Sequence, residues 1–483
     1  MPRVIVCGAG LTGLTTAWHL RRLGADVTVV EASSRVGGVI QSTARDGYLV
    51  EHGPNSCTLT PDLAALIETL GLTPLLRPAA PQAQRRYIVR DGLPVVVPTA
   101  PRTMLTSPLF SMRGKLRVLR EPWITPRTAH GDESVADFVR RRLGTEALDY
   151  AVDPFVSGVY AGDPEQLSVG HAFPRLAAME REHGSLLRAM LAAGRKVRAA
   201  RNTEGSTNSQ HTMVSFASGL HTLPAALATT LGAESLRLNA RAIAIESSGA
   251  GVIVTVDEGG QRHSLDADAI VSTLPLHALT RISLTADAAA ATEQLATVPY
   301  PPVASLALGF RRADVAHALD GFGCLVPSRE RRRTLGVLFS STLFDGRAPD
   351  DYVLLTCFLG GTRHPELGTA DTSTLLTLVL PELANLFGIS GAPTFVEHTS
   401  WPRAIPQYNV GHDANIRAAE ALEVLVPGLL VDGQFRRGVS VGDCVAAGAV
   451  LAARSLAVAN DAAGGRPPRH ATSTAEHEVV VIT

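Results

Sequence analysis

The sequence has few cysteines, only five in 483 residues. They are Cys7, Cys57, Cys324, Cys357 and Cys444, which lie far apart and form no C-x-x-C pair. Such spacing favours neither a zinc site nor a disulfide framework. The sequence therefore predicts free thiols, a reducing compartment and no metal site.

The chain also lacks an excess of charge of one sign and lacks long apolar runs. With 44 basic and 45 acidic residues the formal net charge is -1, which provides no overall field that would attract nucleic acid. We find no uninterrupted apolar run of about 18 residues, the length that a membrane-spanning helix needs. A strand pattern follows Met1-Pro2 directly, which leaves no room for a secretory signal. We expect a cytoplasmic protein that is at most bound to a membrane surface and does not bind nucleic acid.

Several catalytic signatures are missing from the sequence. There is no G-x-S-x-G elbow, no P-loop and no H-E-x-x-H motif, and the 15 histidines are scattered. These absences disfavour a hydrolase or a metalloenzyme. Redox chemistry would then come from a bound cofactor, for which the protein supplies orientation and electrostatics.

A glycine-rich turn lies near the start of the chain. Residues 3–7 have the pattern of a buried strand, and GAGLTG at 8–13 follows them and opens an apolar-periodic helix. Gly8 allows the tight turn, Gly10 lets the backbone approach a pyrophosphate, and Gly13 lets the helix pack on the strand. This order of strand, turn and helix predicts a dinucleotide site.

The next strand pattern, residues 26–30, ends at an acid. Glu31 lies about 20 residues beyond the glycine turn, where a carboxylate accepts a hydrogen bond from a ribose hydroxyl. The same carboxylate would repel a ribose 2′-phosphate. The sequence therefore disfavours NADP.

The segment RVGG that follows helps to separate NAD from FAD. Arg35 supplies a second charged donor, and Gly37 and Gly38 allow a second close approach of the backbone to the cofactor. The larger FAD requires the chain beyond the second strand to leave space for its ribityl chain and flavin. The R-x-G-G arrangement resembles the glutathione-reductase-like flavoproteins, particularly the amine-oxidase superfamily, and we predict FAD as the cofactor.

Composition and periodicity divide the chain into seven segments. A helix pattern at residues 185–201 is amphipathic and basic, a pattern that suits either a surface on anionic lipid or a solvated face over a protein core. The predicted division is an FAD-binding segment at residues 1–85, a substrate-domain hairpin at 86–97 closed by an Asp-Gly turn, a helical lobe at 98–201, a second FAD-binding segment at 212–288, a substrate domain at 289–400, a third FAD-binding segment at 401–459 and a disordered tail at 460–483. The polar run at residues 202–210 predicts a linker or a mobile loop.

Eight further segments together resemble one family. They are EHGPNS (51–56), RYIVRDGLPVVVP (86–98), DPFVSGVYAGDPEQLS (153–168), GFGCLVP (321–327), LGVLFSSTLF (335–344), FLGG (358–361), WPRAIPQY (401–408) and RRGVSVGDC (436–444). With the glycine turn they resemble the FAD-dependent protoporphyrinogen oxidases, including the bacterial coproporphyrinogen III oxidases. The similarity covers roughly residues 3–457.

This resemblance implies a fold and a reaction. The fold is α/β: a glutathione-reductase-like FAD-binding Rossmann domain, a mixed α+β substrate domain and a helical, membrane-contacting lobe. The implied reaction is the six-electron oxidation of protoporphyrinogen IX to protoporphyrin IX in haem biosynthesis, in three cycles of hydride transfer to flavin N5. O2 reoxidises the flavin and gives H2O2. A homodimer and a transient contact with the next haem-pathway enzyme are compatible with the resemblance.

Three alternatives remain open at this point. Coproporphyrinogen III carries four propionates, and its extra carboxylates would need more cations, for which Arg45 and Arg175 are candidates. An amine or polyamine oxidase on the same fold would need an aromatic cage for its substrate. A flavin-binding partner protein without turnover is the third alternative.

The resemblance also assigns substrate residues. Arg86 matches an arginine that pairs with a substrate propionate, which a planar guanidinium can hold bidentately. Gly158 matches a backbone position that faces the reacting carbon, and Leu325, Leu338 and Phe358 match apolar residues that sandwich the pyrrole rings. No side chain emerges as a catalytic acid or base, so Arg86 and Gly158 are predicted to position the substrate.

The cofactor contacts implied by the motifs and the resemblance are spread along the chain. They are Gly8, Gly10, Leu11, Thr12, Gly13, Glu31, Ala32, Arg35, Gly37, Gly38, Gly53, Pro54, Asn55, Ser56, Ala242, Thr273, Trp401, Gly433, Val439, Val441 and Gly442. Two positions depart from the family pattern. Gln434 stands where relatives usually have Asn or an acid, and Ala242 stands where a valine commonly meets the adenine.

Overall fold

A computed structural model describes residues 1–127, 131–203, 212–248 and 251–464. Its strands in chain order are β1 Arg3–Cys7, β2 Asp26–Val30, β3 Ser42–Arg45, β4 Tyr48–Glu51, β5 Cys57–Thr58, β6 Leu76–Pro78, β7 Tyr87–Arg90, β8 Leu93–Val96, β9 Met213–Phe216, β10 Leu236–Arg237, β11 Ala240–Ser248, β12 Gly251–Glu258, β13 Gln261–Ala267, β14 Ala269–Ser272, β15 Val303–Arg311, β16 Gly323–Leu325, β17 Thr334–Leu338, β18 Tyr352–Gly360, β19 Phe395–Trp401 and β20 Leu429–Val431.

The helices, in the same order, are α1 Leu11–Arg22, α2 Pro61–Thr69, α3 Pro101–Thr106, α4 Met112–Leu119, α5 Val135–Arg142, α6 Thr145–Ala147, α7 Asp153–Tyr160, α8 Val169–Ala172, α9 Pro174–His183, α10 Leu186–Thr203, α11 Thr222–Leu231, α12 Leu276–Leu279, α13 Ala289–Ala296, α14 Ser340–Leu343, α15 Thr372–Phe387, α16 Asp413–Leu425, α17 Gln434–Arg437 and α18 Val441–Gly464.

A five-stranded parallel sheet organises the regions of the chain that carry the glycine turn. Its strand order is β10-β2-β1-β14-β20. Both faces are covered, one by α1, α11 and α18 and the other by the sheet β11-β12-β13 together with α13 and α16. Cover on both faces explains why β1, β14 and β20 are continuous apolar runs. The carboxyl ends of all five strands meet at one edge.

Helix α18 is long and apolar enough to cross a membrane by length and composition alone, over Val441–Ala462. Half of that window is buried within the protein, where α18 packs along α1. A Cβ on Gly448 would lie 2.6 Å from Thr15 Cβ, so this glycine allows the two helices to approach closely. These contacts are typical of a core helix.

A seven-stranded mixed sheet, in the order β19-β15-β18-β17-β16-β7-β8, forms the second large sheet. Val337, Cys357 and Leu306 lie on one face and pack against α15 in a common core. The predicted hairpin 86–97 is present as β7 and β8, and the turn residues Asp91 and Gly92 both have positive φ, 53° and 81°, as the two-residue hairpin turn with Asp-Gly requires.

Between the hairpin and β9, the described residues form helices α3 to α10 and no strand. The predicted linker 202–210 is corrected at its start, because α10 continues to Thr203; its residues 204–210 lie outside the described ranges. The predicted disordered tail 460–483 is likewise corrected at 460–464, which are the last turn of α18. Residues 465–483 lie outside the described residues.

Candidate active site

The predicted cofactor residues gather at the carboxyl edge of the parallel sheet. Gly8 follows β1, Glu31 follows β2, Thr273 follows β14, and Gly433 comes two residues after β20. Four segments that are far apart in sequence therefore meet at one place, because parallel strands present all their carboxyl ends at the same edge.

Two glycine loops form a backbone cradle at the start of α1. The Gly37 N–H donates to the Ala9 carbonyl at 2.8 Å, which joins the RVGG segment to the glycine turn. A Cβ on Gly13 would lie 2.0 Å from the Gly8 carbonyl oxygen, so only glycine fits there. Gly37 and Gly38 have φ of 99° and 59°, the region that glycine enters without strain.

Gly10 differs from Gly13, since a Cβ there would meet nothing within 4 Å. Gly38 bounds the space beside Gly10, because a Cβ on Gly38 would lie 3.2 Å from the Gly10 Cα. The first turn of α1 contains no acidic residue. Free backbone N–H groups, open space and the helix N-terminus together suit a pyrophosphate, so these residues fit the predicted dinucleotide.

Glu31 has a structural role at this edge. One carboxylate oxygen accepts from the Ala9 N–H at 2.8 Å, and the other accepts from the Ser33 N–H at 2.9 Å. These bonds tie the first glycine turn to the end of β2. Its contact with the ribose stays a prediction.

Arg35 binds its own loop. Its guanidinium donates to the carbonyl of Gly38 at 2.7 Å and to that of Val36 at 3.3 Å. The arginine thus supports the left-handed glycine pair from outside. This support is a role that the spacing alone did not indicate.

The third cofactor loop follows β20. The Asp432 carboxylate is fully buried, and it accepts from the Gly433 N–H at 2.7 Å and from Arg437 Nε at 2.6 Å. Gly433 has φ of 136°, a conformation that side chains disfavour. Thr273 completes this region, because its N–H donates to the Cys7 carbonyl at 2.9 Å.

The loop with Gly53, Pro54, Asn55 and Ser56 connects the cradle to the seven-stranded sheet. A Cβ on Gly53 would lie 2.1 Å from the Val39 carbonyl oxygen, so the loop packs directly on the segment after the RVGG glycines. On its other side, Trp401 Nε1 of β19 donates to the His52 carbonyl at 2.8 Å.

The remaining cofactor candidates lie around these loops. Leu11 and Thr12 open α1, and Ala32 follows Glu31. Val441 and Gly442 open α18, and Val439 packs on a cluster that contains Tyr408. Ala242 lies in β11, where the pairing with β12 has a bulge. The contact of these residues with the cofactor stays a prediction.

The predicted substrate residues lie on one face of the seven-stranded sheet. Leu325 pairs with Gly336, and Gly336 pairs with Phe358 across β16, β17 and β18. Leu338 pairs with Gly323 one step further along. Alternation of side chains along a strand places this set opposite the residues that pack on α15.

Helix α7 lies over this face. A Cβ on Gly158 would lie 2.5 Å from Leu325 Cδ2, and one on Gly336 would lie 3.3 Å from the same atom. Two glycines therefore flank Leu325, which allows the helix and the sheet to approach closely. The structure brings Gly158 against Leu325, on the sheet face that also carries Leu338 and Phe358; their joint contact with a substrate stays a prediction.

Arg86 is exposed at the edge of this face, immediately before β7. The sequence predicted it within the strand; instead only its carbonyl extends the hairpin, by accepting from the Val97 N–H at 2.8 Å. Its guanidinium carbon lies 5.2 Å from the centre of the Phe322 ring. No described residue forms a hydrogen bond or ion pair with the guanidinium, whereas the neighbouring Arg85 pairs with Asp320.

Sequence reasoning missed the bonds that hold α7 in place. The Asp153 carboxylate, at the helix start, accepts from the Ser328 N–H and hydroxyl, both at 2.7 Å. Arg363 donates to the Ser157 hydroxyl at 2.8 Å and to the Val326 carbonyl at 2.9 Å. Asp153 and Ser157 stand in the segment DPFVSG, but their partners come from distant loops that no local pattern indicates.

Sequence reasoning also missed a buried ion pair, at the end of β4. Glu51 and Arg347 lie 3.2 Å apart, and both side chains are 3% exposed. Burial raises the pKa of Glu51 and lowers the pKa of Arg347, and their mutual attraction opposes both shifts. Glu51 also accepts from Ser42 and from the Leu220 N–H at 2.9 Å, so it joins β4 to two other segments.

The match to known families agrees with this geometry. Residues 11–456 match the family described as flavin containing amine oxidoreductase. The chain belongs to this flavoprotein family. Membership makes it an FAD-containing oxidoreductase with the flavin amine oxidase-like fold, which confirms the predicted cofactor, enzyme class and mixed α/β content.

Individual relatives of this flavoprotein cover nearly the whole chain. It is 34% identical over 92% of its length to protoporphyrinogen oxidase 2, chloroplastic/mitochondrial, of Arabidopsis thaliana, and covers 92% of that protein. It is 28% identical over 94% of its length to coproporphyrinogen III oxidase of Bacillus subtilis, and covers 97% of it. A crystal structure of a chain from Exiguobacterium sp. 255-15 has a TM-score of 0.77 at 24% identity, over 94% of this chain and 99% of that one.

Proposed function

We propose that the protein oxidises protoporphyrinogen IX to protoporphyrin IX. The observation that carries this proposal is the guanidinium of Arg86, which forms no hydrogen bond or ion pair with a described residue, at the edge of an apolar sheet face that Gly158 also approaches. When bound, FAD would supply the redox chemistry, as the acceptor of the substrate's electrons with O2 as the final acceptor. The chain's own residues bind and orient the macrocycle.

Each residue has a role in that orientation. Arg86 holds a propionate, since a planar guanidinium matches a carboxylate bidentately. Leu325, Leu338 and Phe358 contact the faces of the pyrrole rings. The bare backbone of Gly158 lets the reacting carbon approach, and the geometry of the bound macrocycle then decides which carbon is oxidised.

Coproporphyrinogen III is the second candidate substrate, because the Bacillus subtilis relative carries that name. Its extra propionates would need further free cations. Arg45 is already engaged, with Glu397 at 2.6 Å and with the Val396 carbonyl at 2.8 Å. Arg175 is exposed at the start of α9. Because Arg45 is already engaged, it is not free to bind an extra propionate, which favours protoporphyrinogen IX. The guanidinium of Arg86 favours an anionic substrate and therefore disfavours an amine.

We also propose that the fold contains a glutathione-reductase-like Rossmann domain and a helical lobe that contacts a membrane surface. Support for the lobe comes from large apolar side chains exposed on α3, α4, α10 and the turn after α4: Leu105, Met112, Leu116, Leu119, Trp123, Met190 and Leu191. The basic residue Arg113 is exposed on α4 beside them. Apolar and basic side chains together suit an anionic interface.

One assay tests the catalytic proposal. The purified protein should be yellow, and each porphyrinogen supplied in air should yield porphyrin fluorescence and H2O2, faster with protoporphyrinogen IX. FAD-free protein serves as the control for spontaneous oxidation. A yellow protein that oxidises neither porphyrinogen above this control would refute the proposal, and a yellow protein that oxidises only an amine would replace it.

A vesicle experiment tests the lobe. The wild type should cosediment with vesicles that contain anionic lipid. The double variant Leu116→Asp, Trp123→Asp should cosediment less, while its FAD binding stays unchanged. Equal recovery of both proteins with the vesicles would argue against membrane contact at this surface. The cytoplasmic location, the homodimer and the contact with a haem-pathway enzyme stay predictions.

A further inference from the structure

Residues 405–412 lie between the two halves of the site. They begin in the segment WPRAIPQY, to which neither a cofactor nor a substrate contact was assigned beyond Trp401. Two consecutive side chains in it, those of Gln407 and Tyr408, are 1% and 4% exposed. Each reaches a different half of the site.

Tyr408 reaches the cofactor loop. Its hydroxyl donates to the carbonyl of Gln434, the residue directly after Gly433. Burial raises the pKa of the Tyr408 phenol, so it keeps the proton that it donates. The ring packs between Tyr160 and His412, with centroid distances of 6.2 Å and 5.1 Å.

His412 binds the next carbonyl of the same loop. Its Nε2 lies 2.7 Å from the Phe435 oxygen, and its Nδ1 lies 3.2 Å from Asn415 Nδ2. Gln294 Nε2 donates to Asn415 Oδ1 at 2.9 Å, which orients the amide so that Nδ2 donates to the imidazole. His412 is therefore neutral with its proton on Nε2, in agreement with a pKa that burial lowers.

Gln407 reaches the substrate half. Its Nε2 donates to the carbonyl of Tyr160, the last residue of α7, at 2.9 Å. Gly158 stands one half-turn before that carbonyl. The helix ends here because Ala161 adopts a left-handed conformation with φ of 50°. A Cβ on Gly162 would lie 2.3 Å from Gln407 Oε1, so the amide also packs against the chain that leaves α7.

We propose that Gln407 and Tyr408 are positioning residues that hold the substrate helix α7 and the cofactor segment 433–435, which is Gly433 and the start of α17, in a set relative position. Two adjacent residues on one backbone cannot move independently, so a shift of either half is transmitted to the other. The cofactor half of this proposal requires only bound FAD; the substrate half rests on the proposed porphyrinogen oxidation.

Two variants separate the two bonds. Tyr408→Phe keeps the ring and leaves the Gln434 carbonyl without its donor; FAD affinity should fall about tenfold, with a shifted flavin absorbance spectrum, because a buried unpaired carbonyl is costly. Gln407→Met keeps the volume and removes the bond to Tyr160 together with a local bond to the Ile405 carbonyl. The KM for protoporphyrinogen IX should rise about tenfold, while the FAD affinity and the spectrum stay at the wild-type values.

Tyr48→Phe is the matched control, since Tyr48 is equally buried in a different cluster and its hydroxyl makes only a 3.4 Å contact with Thr394. It should change neither FAD affinity nor KM. Unfolding temperatures of the FAD-free forms separate positioning from loss of fold. If Tyr408→Phe does not fold, His412→Gln provides the second measurement on the cofactor loop, with the same expected loss of FAD affinity.

The proposal is overturned if Tyr408→Phe, or His412→Gln in its place, binds FAD with the wild-type affinity and spectrum. It is also overturned if Gln407→Met raises KM no more than Tyr48→Phe. A wild-type protein that binds FAD but oxidises no porphyrinogen would refute the proposed function; the FAD measurements on Tyr408→Phe would still decide the cofactor half.

Discussion

Gly158 of α7 and Leu325 of β16 are in direct contact: a Cβ on the glycine would lie 2.5 Å from Leu325 Cδ2. Gly158→Ala should therefore displace Leu325 and raise the KM for the porphyrinogen at least tenfold, a change of about 1.4 kcal/mol. Stability should change by less than about 1 kcal/mol, since alanine is the better helix former. Steady-state kinetics and thermal unfolding check both values. Leu325→Val in the Gly158→Ala background should lower the KM for the porphyrinogen again. A double variant whose KM is as high as that of Gly158→Ala would contradict this explanation.

The contrast between Arg86 and Arg85 gives a second prediction. Arg86→Met removes a guanidinium that forms no hydrogen bond or ion pair with a described residue and lies only over the Phe322 ring, so the unfolding temperature should change little. The KM for the porphyrinogen should rise about tenfold or more, because a charge-assisted bond to a carboxylate is lost. Arg85→Met, which breaks the ion pair with Asp320, is the control and should keep its KM. Loss of FAD from Arg86→Met would contradict the assigned role.

Gly10 and Gly13 should respond differently to alanine. At Gly10 a Cβ meets no protein atom within 4 Å, so Gly10→Ala should fold normally and lose FAD affinity, because the methyl group occupies space that suits the pyrophosphate. At Gly13 a Cβ would lie 2.0 Å from a backbone oxygen, so Gly13→Ala should also lower the unfolding temperature of the FAD-free protein. Flavin titration with calorimetry distinguishes the two, and an equally destabilised Gly10→Ala would contradict the open cradle.

The helical lobe contains a fully buried ion pair between Arg142 and Glu121. Arg142→Met should cost about 3–5 kcal/mol, because Glu121 is left without its cation; the double variant with Glu121→Gln should cost less. Arg181→Met, which breaks an exposed pair with Glu182, should cost under about 0.5 kcal/mol. Urea unfolding checks these values, and a double variant as unstable as Arg142→Met would contradict the charge explanation.

The same carboxylate predicts a pH dependence. Burial alone would raise the pKa of Glu121, but hydrogen bonds from Ser185 and from the Leu186 and Leu187 N–H groups, with the Arg142 charge, lower it below 4.5. A folded pKa below the unfolded value means that the contribution to stability is present at neutral pH and is lost as the pH falls below 4.5 through the folded pKa. The unfolding temperature of the wild type should therefore fall more steeply in acid than that of Glu121→Gln.

The thiols should be unreactive in the folded protein. All five cysteines are free and buried, and burial raises the pKa of Cys7 and of Cys57 to about 12. Since the thiolate is the reactive form, iodoacetamide at pH 8 should label the folded protein little and label all five cysteines in denaturant. Mass spectrometry checks this, and fast labelling of the folded protein would contradict the burial.

Much of the cofactor half could be read from local patterns. The glycine turn and the acid after β2 follow from backbone conformations that depend on neighbouring residues, as does the Asp-Gly hairpin of the substrate half, and the structure contains each of them. The family and its FAD, inferred from motifs, are confirmed. Roles that depend on distant partners were missed, such as the Glu51–Arg347 pair and the bonds of Asp153 to Ser328.

By itself the sequence determined the strand-turn-helix unit at the start of the chain and the Asp-Gly hairpin, because these depend on short-range geometry. The tertiary structure alone decided that Gly158 meets Leu325, that Arg85 is paired while Arg86 is free, and that Gln407 and Tyr408 reach opposite halves of the site. Such relationships join residues far apart in the chain, and their energies depend on packing and on charge partners that no local window of sequence contains.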